Sequence, residues 1–245
     1  MKKVLIIQVR AEDEAADDEY RAFLRFGGLS EQDVERVRAQ QHDLTLIEPR
    51  IYSAVIVGGG PFNISDPLEK KSSVQKRIER ELKQIMKVVL DEDVPYFGAC
   101  YGLGLLADCL NTKVSKEKYS EDVGAVEVRR MTEIADVLLE GLPDKFEAFV
   151  GHKESVQEIP KGCTLLASSA TCPVQMIRFK QNVYGVQFHP ELDTEGLILR
   201  INVYKHAGYF KPEEAEDLIE RVKKDRVTEP TKIFKKFMET YYKSA

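Results

Sequence analysis

The sequence predicts an α/β fold with an open, mostly parallel sheet flanked by helices, and three observations support this prediction. Short apolar runs recur in the first hundred positions, as in strands that are buried on both faces of a sheet. Stretches with a one-sided apolar stripe separate some of these runs, so strands and helices alternate. Later strands are separated by turns, and helices return near the C terminus.

Four apolar runs in the first half are predicted to be strands. They are Val4–Ile7, Leu44–Ile47, Ala54–Val57 and Val94–Phe97. The polar stretch after the first run favours helix until a Gly-Gly pair interrupts it, and Ser30 is a suitable N-cap for a helix over Glu31–Gln40. From Ser72 to Leu90, apolar residues recur at helical spacing, which predicts an amphipathic helix.

The second half is predicted to contain shorter strands and then helices. The strands are Val123–Arg129, Phe146–Val150, Thr164–Ala167, Val174–Phe179 and Val183–Phe188. The helices are Thr194–His206, Pro212–Lys224 and Pro230–Tyr242. No linker or repeat divides the chain, so we expect residues 1–205 to form the domain and 206–245 to be a helical extension packed on it.

Composition narrows the function classes. The 245 residues are 43% hydrophobic and 31% charged, which suits a folded protein. A net charge of −5 argues against nucleic-acid binding, and no apolar run reaches the roughly 18–20 residues of a membrane span. The four cysteines form no CxxC pair and are too few for a disulfide scaffold. We therefore expect a cytoplasmic protein that acts on a small molecule without a metal or cofactor.

The segment Gly98–Gly102 joins a predicted strand to a predicted helix over Tyr101–Leu110 and reads Gly-Ala-Cys-Tyr-Gly. This is the thiol counterpart of the Gly-x-Ser-x-Gly nucleophile elbow. A nucleophile on so sharp a turn needs small neighbours, and a helix N-terminus favours the thiolate. Cys100 is the candidate nucleophile; the alternative is a buried cysteine in a glycine-rich turn.

A cysteine nucleophile needs a base, and His189 follows a predicted strand. Glu191 lies two residues on, so in extended backbone its carboxylate can orient one imidazole nitrogen. The alternative is a histidine that caps a strand end. The run Gly58–Pro61 also follows a strand and can supply an oxyanion donor, although an ordinary strand-to-helix turn explains it equally well.

Three motifs in this order resemble those of the class I glutamine amidotransferases, whose glutaminase domains use a Cys-His-Glu triad. They are Gly59-Gly60-Pro61, the elbow at Gly98–Gly102, and Gly185-Val186-Gln187-Phe188-His189-Pro190-Glu191. The resemblance covers roughly residues 1–205, implies a flavodoxin-like sheet, and is greatest to the glutaminase domain of GMP synthase. No ATP-pyrophosphatase motif is present in the sequence.

The resemblance implies roles for particular residues. Cys100 would attack the side-chain amide of glutamine, His189 would move the proton, and Glu191 would orient His189. Gly60 and Tyr101 would supply the oxyanion N–H groups. The residues implied to border the substrate are Gly59, Gly102, Gly104 and Glu154.

Two of these positions depart from the family's pattern. Gly104 stands where the family usually has glutamine, and Glu154 stands where its synthase members tend to have aspartate. Both departures affect recognition of the amino-acid end of glutamine rather than the triad.

Three functions remain open at this point. The first is a stand-alone glutaminase subunit that passes ammonia to a separate synthase. The second is a γ-glutamyl hydrolase or peptidase with the same triad, and the third is a regulatory binding protein without turnover. The C-terminal helices are expected to pack on the domain, with docking to a synthase or to a second copy as the alternative.

Overall fold

The computed structural model describes residues 2–243 and contains eleven strands and six α-helices in that range. The strands are β1 (Val4–Gln8), β2 (Val34–Arg38), β3 (Ala54–Val57), β4 (Tyr96–Ala99), β5 (Val114–Ser115), β6 (Glu121–Arg130), β7 (Lys145–His152), β8 (Ser155–Val156), β9 (Cys163–Ser169), β10 (Met176–Phe179) and β11 (Val183–Val186). The helices are α1 (Asp13–Gly27), α2 (Ser73–Glu92), α3 (Tyr101–Cys109), α4 (Thr194–Val203), α5 (Ala215–Val222) and α6 (Glu229–Met238).

A nine-stranded sheet organises the protein, in the order β2-β1-β3-β4-β11-β10-β9-β6-β7. The pairings from β2 through β11 are parallel, and the remaining pairings are antiparallel. Only β10 and β6 therefore run against the other strands of this sheet. β5 and β8 form a separate small antiparallel pair. The predicted open, mostly parallel sheet is confirmed.

Helices cover both faces of the parallel half of the sheet. Alternate residues of β1, such as Ile6 and Ile7, belong to different apolar cores. α1 and α6 pack on one face, where the rings of Phe97 and Phe237 lie 5.1 Å apart. α2 and α3 cover the other face, and α4 and α5 pack on the antiparallel half around Phe149.

The predicted helix over Glu31–Gln40 and the predicted strand over Leu44–Ile47 are both wrong. The chain makes one 3-10 turn at Glu31–Asp33 and then forms strand β2, parallel to β1, at an edge of the sheet. An edge strand tolerates charged residues, and Arg36 and Arg38 of β2 pair with acidic side chains of α1. The parallel partner of β1 is thus supplied by a sequence whose polar character favours helix.

Residues 44–47 form turns instead. Leu44 is buried, but Leu46 is 94% exposed, so this apolar run does not share one environment as a buried strand would. The other predicted strands occur with shifts of a few residues at their ends. The final predicted helix is shorter than expected, because α6 ends at Met238 and a π-helical turn follows over Glu239–Lys243. Within residues 2–243, no helix is both long and apolar enough to cross a membrane.

Candidate active site

Cys100 lies on the tight connection between β4 and α3. Its backbone has φ 50°, a left-handed conformation that costs a non-glycine residue on the order of 1–3 kcal/mol. The surrounding structure holds this conformation, because the Cys100 N–H donates to the carbonyl of Val186 in β11 at 2.8 Å. The Cys100 carbonyl accepts from Gly104 N–H at 3.1 Å, which begins α3. The segment therefore has the backbone of a nucleophile elbow.

The two elbow glycines allow close approaches of the backbone. A Cβ atom on Gly98 would lie 2.6 Å from the carbonyl carbon of Gly102 and from the hydroxyl of Tyr96. A Cβ atom on Gly102 would lie 2.6 Å from the carbonyl oxygen of Val57 in β3. Both distances are shorter than any side chain permits, so the sharp turn requires glycine at these positions. Gly102 contacts the neighbouring strand, and its predicted role at the substrate stays a prediction.

His189 follows β11 and is held by backbone and side-chain contacts. Its N–H donates to the carbonyl of Phe149 at 3.0 Å, and its Nδ1 lies 2.8 Å from Oε1 of Glu191. Burial alone would lower the pKa of His189, but the Glu191 carboxylate and a hydrogen bond with Cys100 outweigh it and raise that pKa to about 9. The imidazole is therefore positively charged at neutral pH, beside the sulfur.

Glu191 is buried between His189 and Arg200. Nη1 of Arg200 donates to the same carboxylate oxygen at 2.8 Å. Burial would raise the pKa of Glu191, but its two cationic neighbours hold that pKa well below its usual range. The pair is joined by a turn, in which Leu192 N–H donates to the His189 carbonyl at 3.2 Å, and not by the extended backbone that the sequence interpretation assumed.

The Gly-Gly-Pro loop lies against the same histidine. A Cβ atom on Gly59 would lie 2.6 Å from Cε1 of His189 and 3.0 Å from Nη2 of Arg10. Gly60 lines the pockets on both sides of Cys100. Tyr101 is the first residue of α3, where N–H groups have no partner within the helix. The oxyanion roles of Gly60 and Tyr101 stay predictions.

One pocket beside Cys100, here called the Glu154 pocket, is lined by polar and small groups. Its residues include Gly60, Phe62, Asn63, Gly104, Val114, Glu154 and Gln187. Glu154 accepts from Ile64 N–H at 2.7 Å and from Ser65 N–H at 2.8 Å, so it anchors the loop that follows the Gly-Gly-Pro motif. Burial raises the pKa of Glu154 despite these hydrogen bonds.

Gly104 borders the Glu154 pocket and has no backbone reason to be glycine. Its φ is not positive, and a Cβ atom there would make ordinary contacts, 3.4 Å from Ile64 Cγ1 and 3.8 Å from Glu154 Oε1. The absence of a side chain at this position therefore enlarges the pocket without serving the turn.

A second pocket, here called the Arg10 pocket, lies on the His189 side of Cys100. Its wall is largely apolar or aromatic, with Val123, Val150, Leu192, Leu197, Ile201, Tyr204, Tyr209 and Phe210 beside Arg10 and Arg200. Arg10 donates from Nε to Glu19 at 2.9 Å and from Nη1 to the Tyr204 hydroxyl at 3.2 Å. The sequence analysis missed Arg10, although it lies just beyond the carboxyl end of β1, where functional side chains of parallel sheets gather.

Residues 204–210 cover the site from beyond the predicted domain. Tyr209 borders both pockets and stacks under Nζ of Lys153, which lies 4.2 Å from the ring centroid. The same Nζ donates to the carbonyl of Ala207 at 2.6 Å. This segment was assigned to the C-terminal extension, and no sequence pattern indicated that it reaches Cys100.

The other cysteines differ from Cys100 in setting. Burial raises the pKa of the Cys109 thiol to about 11 and those of Cys163 and Cys172 to about 12. Cys172 lies within 4.8 Å of potential ligand atoms of Glu121 and His152. That carboxylate already accepts hydrogen bonds from His152 and from Gln175 Nε2 at 2.7 Å, which leaves this cluster a structural explanation.

Comparisons with known proteins agree with this geometry. The family described as glutamine amidotransferase class-I matches residues 21–196. The glutamine-hydrolysing GMP synthase of Thermosipho melanesiensis is 30% identical over 191 residues, which cover 76% of this chain and 33% of that protein. A separately encoded subunit of the glutamine-hydrolysing GMP synthase of Methanopyrus kandleri is 33% identical over 141 residues, which cover 57% of this chain and 67% of that protein.

Solved structures show the same fold. A glutamine amidotransferase from Thermotoga maritima has a TM-score of 0.78 at 18% identity and matches 98% of each chain. A protein from Thermoplasma acidophilum that is described as a GMP synthase subunit has a TM-score of 0.66 at 22% identity. The sequence match extends over most of the chain and includes the elbow and the histidine motif. The chain therefore belongs to the class I glutamine amidotransferases.

Proposed function

We propose that this chain hydrolyses the side-chain amide of glutamine through a thioester on Cys100 and releases glutamate and ammonia. One observation carries the proposal. The strained elbow places Cys100 beside a charged His189, which Glu191 holds from the other side. This is the arrangement of nucleophile, base and orienting group that acyl transfer by a cysteine requires.

The reaction follows from these positions. The Cys100 thiolate attacks the amide carbon, and N–H groups of Gly60 and Tyr101 stabilise the oxyanion. His189 donates its proton to the leaving nitrogen, so ammonia departs and the γ-glutamyl thioester remains. Neutral His189 then accepts a proton from water, and the resulting attack on the thioester releases glutamate.

The ammonia acceptor is proposed to be a separate synthase. Several relatives are named as individual subunits of the glutamine-hydrolysing GMP synthase, which supports a glutaminase encoded apart from its partner. The chain spans 33% of the length of the Thermosipho GMP synthase that it matches, so the activity of that whole protein is not transferred to this one. A cytoplasmic location is part of the proposal, since all four cysteines are free.

A γ-glutamyl hydrolase is the second candidate, and two observations favour it. The glycine at position 104 removes a side chain from the Glu154 pocket. The Arg10 pocket adds space on the opposite side of the thiol, which ammonia alone does not need.

A substrate panel tests both candidates. Purified protein is supplied with glutamine, with γ-glutamyl dipeptides and with no substrate, and the released ammonia or amino acid is measured. Ammonia from glutamine supports the first candidate, and amine from dipeptides alone supports the second. Turnover of neither, together with no labelling of Cys100 by a diazo-ketone analogue of glutamine, contradicts both.

A further inference from the structure

The Arg10 pocket lies where a leaving group must go. His189 and Cys100 line this pocket, whereas the Glu154 pocket opens on the other side of the sulfur. In the proposed reaction His189 protonates the leaving nitrogen, so any group on that nitrogen extends past the imidazole. The empty space measures about 500 Å³ with its mouth included, within the range of about 300–1,000 Å³ of small-molecule sites.

The wall of the Arg10 pocket is suited to an aliphatic side chain. Leu197 and Ile201 of α4 present an aliphatic surface, and Phe210 lies on the same wall. Leu197 and Ile201 are almost completely buried, so they belong to a formed wall. Burial of apolar ligand surface against such a wall favours binding by roughly 25 cal/mol per Å².

Two guanidinium groups interrupt this apolar wall. Among residues 2–243, Nη2 of Arg10 has no hydrogen-bond partner, and neither do the buried Nε and Nη2 of Arg200. Arg10 and Arg200 are 4% and 6% exposed. Glu19 and Glu191 balance one charge each, and the Asp18 carboxylate near Arg200 has an oxygen without a partner.

Unpartnered guanidinium N–H groups in a buried setting indicate an anionic acceptor. Of the two arginines, Arg200 is fixed to the Glu191 carboxylate, whereas Nη2 of Arg10 lies beside Gly59 and His189. Nη2 of Arg10 is therefore the donor that a ligand attached to the thioester-forming carbon reaches first.

We propose that the Arg10 pocket binds the amine half of a γ-glutamyl α-amino acid with an aliphatic side chain. The carboxylate of that half accepts from Arg10, and its side chain packs on Leu197, Ile201 and Phe210. This inference rests on the proposed chemistry of Cys100 and names the substrate class of the same site.

The step balances without a co-reactant other than water. The Cys100 sulfur forms a bond to the γ-carbon while the bond to the peptide nitrogen breaks. That nitrogen takes the His189 proton, and the free amino acid leaves. Water then cleaves the thioester, giving glutamate and restoring the thiol.

The test compares four substrates on the unaltered protein, namely γ-glutamyl-leucine, γ-glutamyl-leucine amide, γ-glutamylglycine and glutamine. The amide removes only the carboxylate charge, and the glycine compound removes only the side chain. We expect kcat/KM for γ-glutamyl-leucine to exceed each of the other two dipeptide derivatives by about tenfold or more. Equal values for γ-glutamyl-leucine and its amide would overturn the role of Arg10.

An arginine variant gives an independent readout. In Arg10→Gln, the preference for γ-glutamyl-leucine over its amide is expected to fall to about onefold. Arg130→Gln is the matched control, because Arg130 pairs with Asp144 at the surface and should leave the preference unchanged. Thermal unfolding shows whether Arg10→Gln is folded; if it is not, the substrate series alone decides.

Labelling separates failure of this inference from failure of the proposed function. If the diazo-ketone analogue labels Cys100 and glutamine releases ammonia, but no dipeptide is cleaved, the leaving-group site is wrong and the glutaminase proposal stands. If Cys100 is not labelled and nothing is cleaved, the proposed function itself fails.

Discussion

Two buried histidine–glutamate pairs lie in this protein, and they differ in one ring nitrogen. Nδ1 of His189 faces Glu191 at 2.8 Å, and its ring also interacts with the Cys100 thiol. Nε2 of His152 faces Glu121 at 2.8 Å, but its Nδ1 donates to the carbonyl of Glu154 at 2.9 Å. The first ring keeps a nitrogen for chemistry, whereas both nitrogens of the second are used by the fold.

The carboxylates differ in the same way. Glu121 accepts from Gln175 Nε2 at 2.7 Å and from Ser169 Oγ at 2.9 Å in addition to His152. Glu191 has an oxygen with no partner among the described residues. A buried polar cluster with all its groups paired stabilises a fold, whereas unpaired groups in a pocket indicate a ligand or a reaction. Burial alone therefore does not identify a catalytic histidine.

Removal of the nucleophile should have the largest effect. Cys100→Ala cannot form the thioester, so we expect no turnover of any substrate and no labelling by the diazo-ketone analogue. The other three thiols are buried with raised pKa values and should not react in its place. Mass spectrometry of labelled peptides checks this, and a label on another cysteine would contradict the assignment.

Substitution of the two histidines tests the comparison directly. His189→Ala should lower kcat by about 10²–10⁴-fold, because proton transfer is lost. His152→Ala should instead lower the free energy of unfolding by about 1–3 kcal/mol, because Glu121 loses one of several buried hydrogen bonds.

Steady-state kinetics and chemical denaturation of both variants give the answer. A folded His152→Ala variant without activity, beside an active His189→Ala variant, would reverse the assignment of the base.

Glu191→Gln should have a smaller effect on rate and a visible effect on pH dependence. The Glu191 carboxylate raises the pKa of His189 to about 9 against the effect of burial. We expect activity of the unaltered protein to fall as pH rises through about 9, and the variant to lose activity at lower pH. An unchanged alkaline limb in the kcat/KM profile would contradict this coupling.

The same pKa shift has a consequence for stability. The His189 pKa rises from 6.5 to about 9 on folding, so the folded protein binds the proton more tightly. The resulting stabilisation is present in full below pH of about 6.5 and is lost as pH rises through about 9. Unfolding midpoints measured across this range should show the loss in the unaltered protein and less of it in Glu191→Gln.

Gly104 is expected to have the smallest effect among these positions. Without a side chain there, the polar end of glutamine lacks a partner worth about 1.5–3 kcal/mol, so free glutamine should be a poor substrate. Gly104→Gln should lower KM for glutamine, provided that the side chain fits beside Ile64, 3.4 Å from the position of its Cβ. A KM in the ordinary range of about 1 μM–1 mM for the unaltered protein would contradict this expectation.

The sequence predicts those parts of the site that one local segment determines. The elbow around Cys100 and the pair His189 and Glu191 each depend on neighbours within a few residues, so spacing alone identifies them. Arg10 and Tyr209 lie far apart in sequence and meet at Cys100 only after the sheet has formed.

The errors in the fold have a related cause. Strand β2 contains three charged residues among five, and only its place at the sheet edge beside β1 makes that pattern stable. The run at residues 44–47 has strand-like composition but no open sheet position next to it. Both outcomes depend on which strands pair, which is a property of the assembled sheet and not of a short window of sequence.

The anchoring of residues 204–210 by Lys153 has a consequence for how this protein can diverge. The segment lies outside the family match at residues 21–196 and contains none of the three proposed catalytic residues, yet it forms part of both pockets. Mutations there alter the walls around the thiol without disturbing the elbow or the sheet. A short connection between two helices thus gives evolution a place to change what the enzyme accepts while its chemistry is inherited intact.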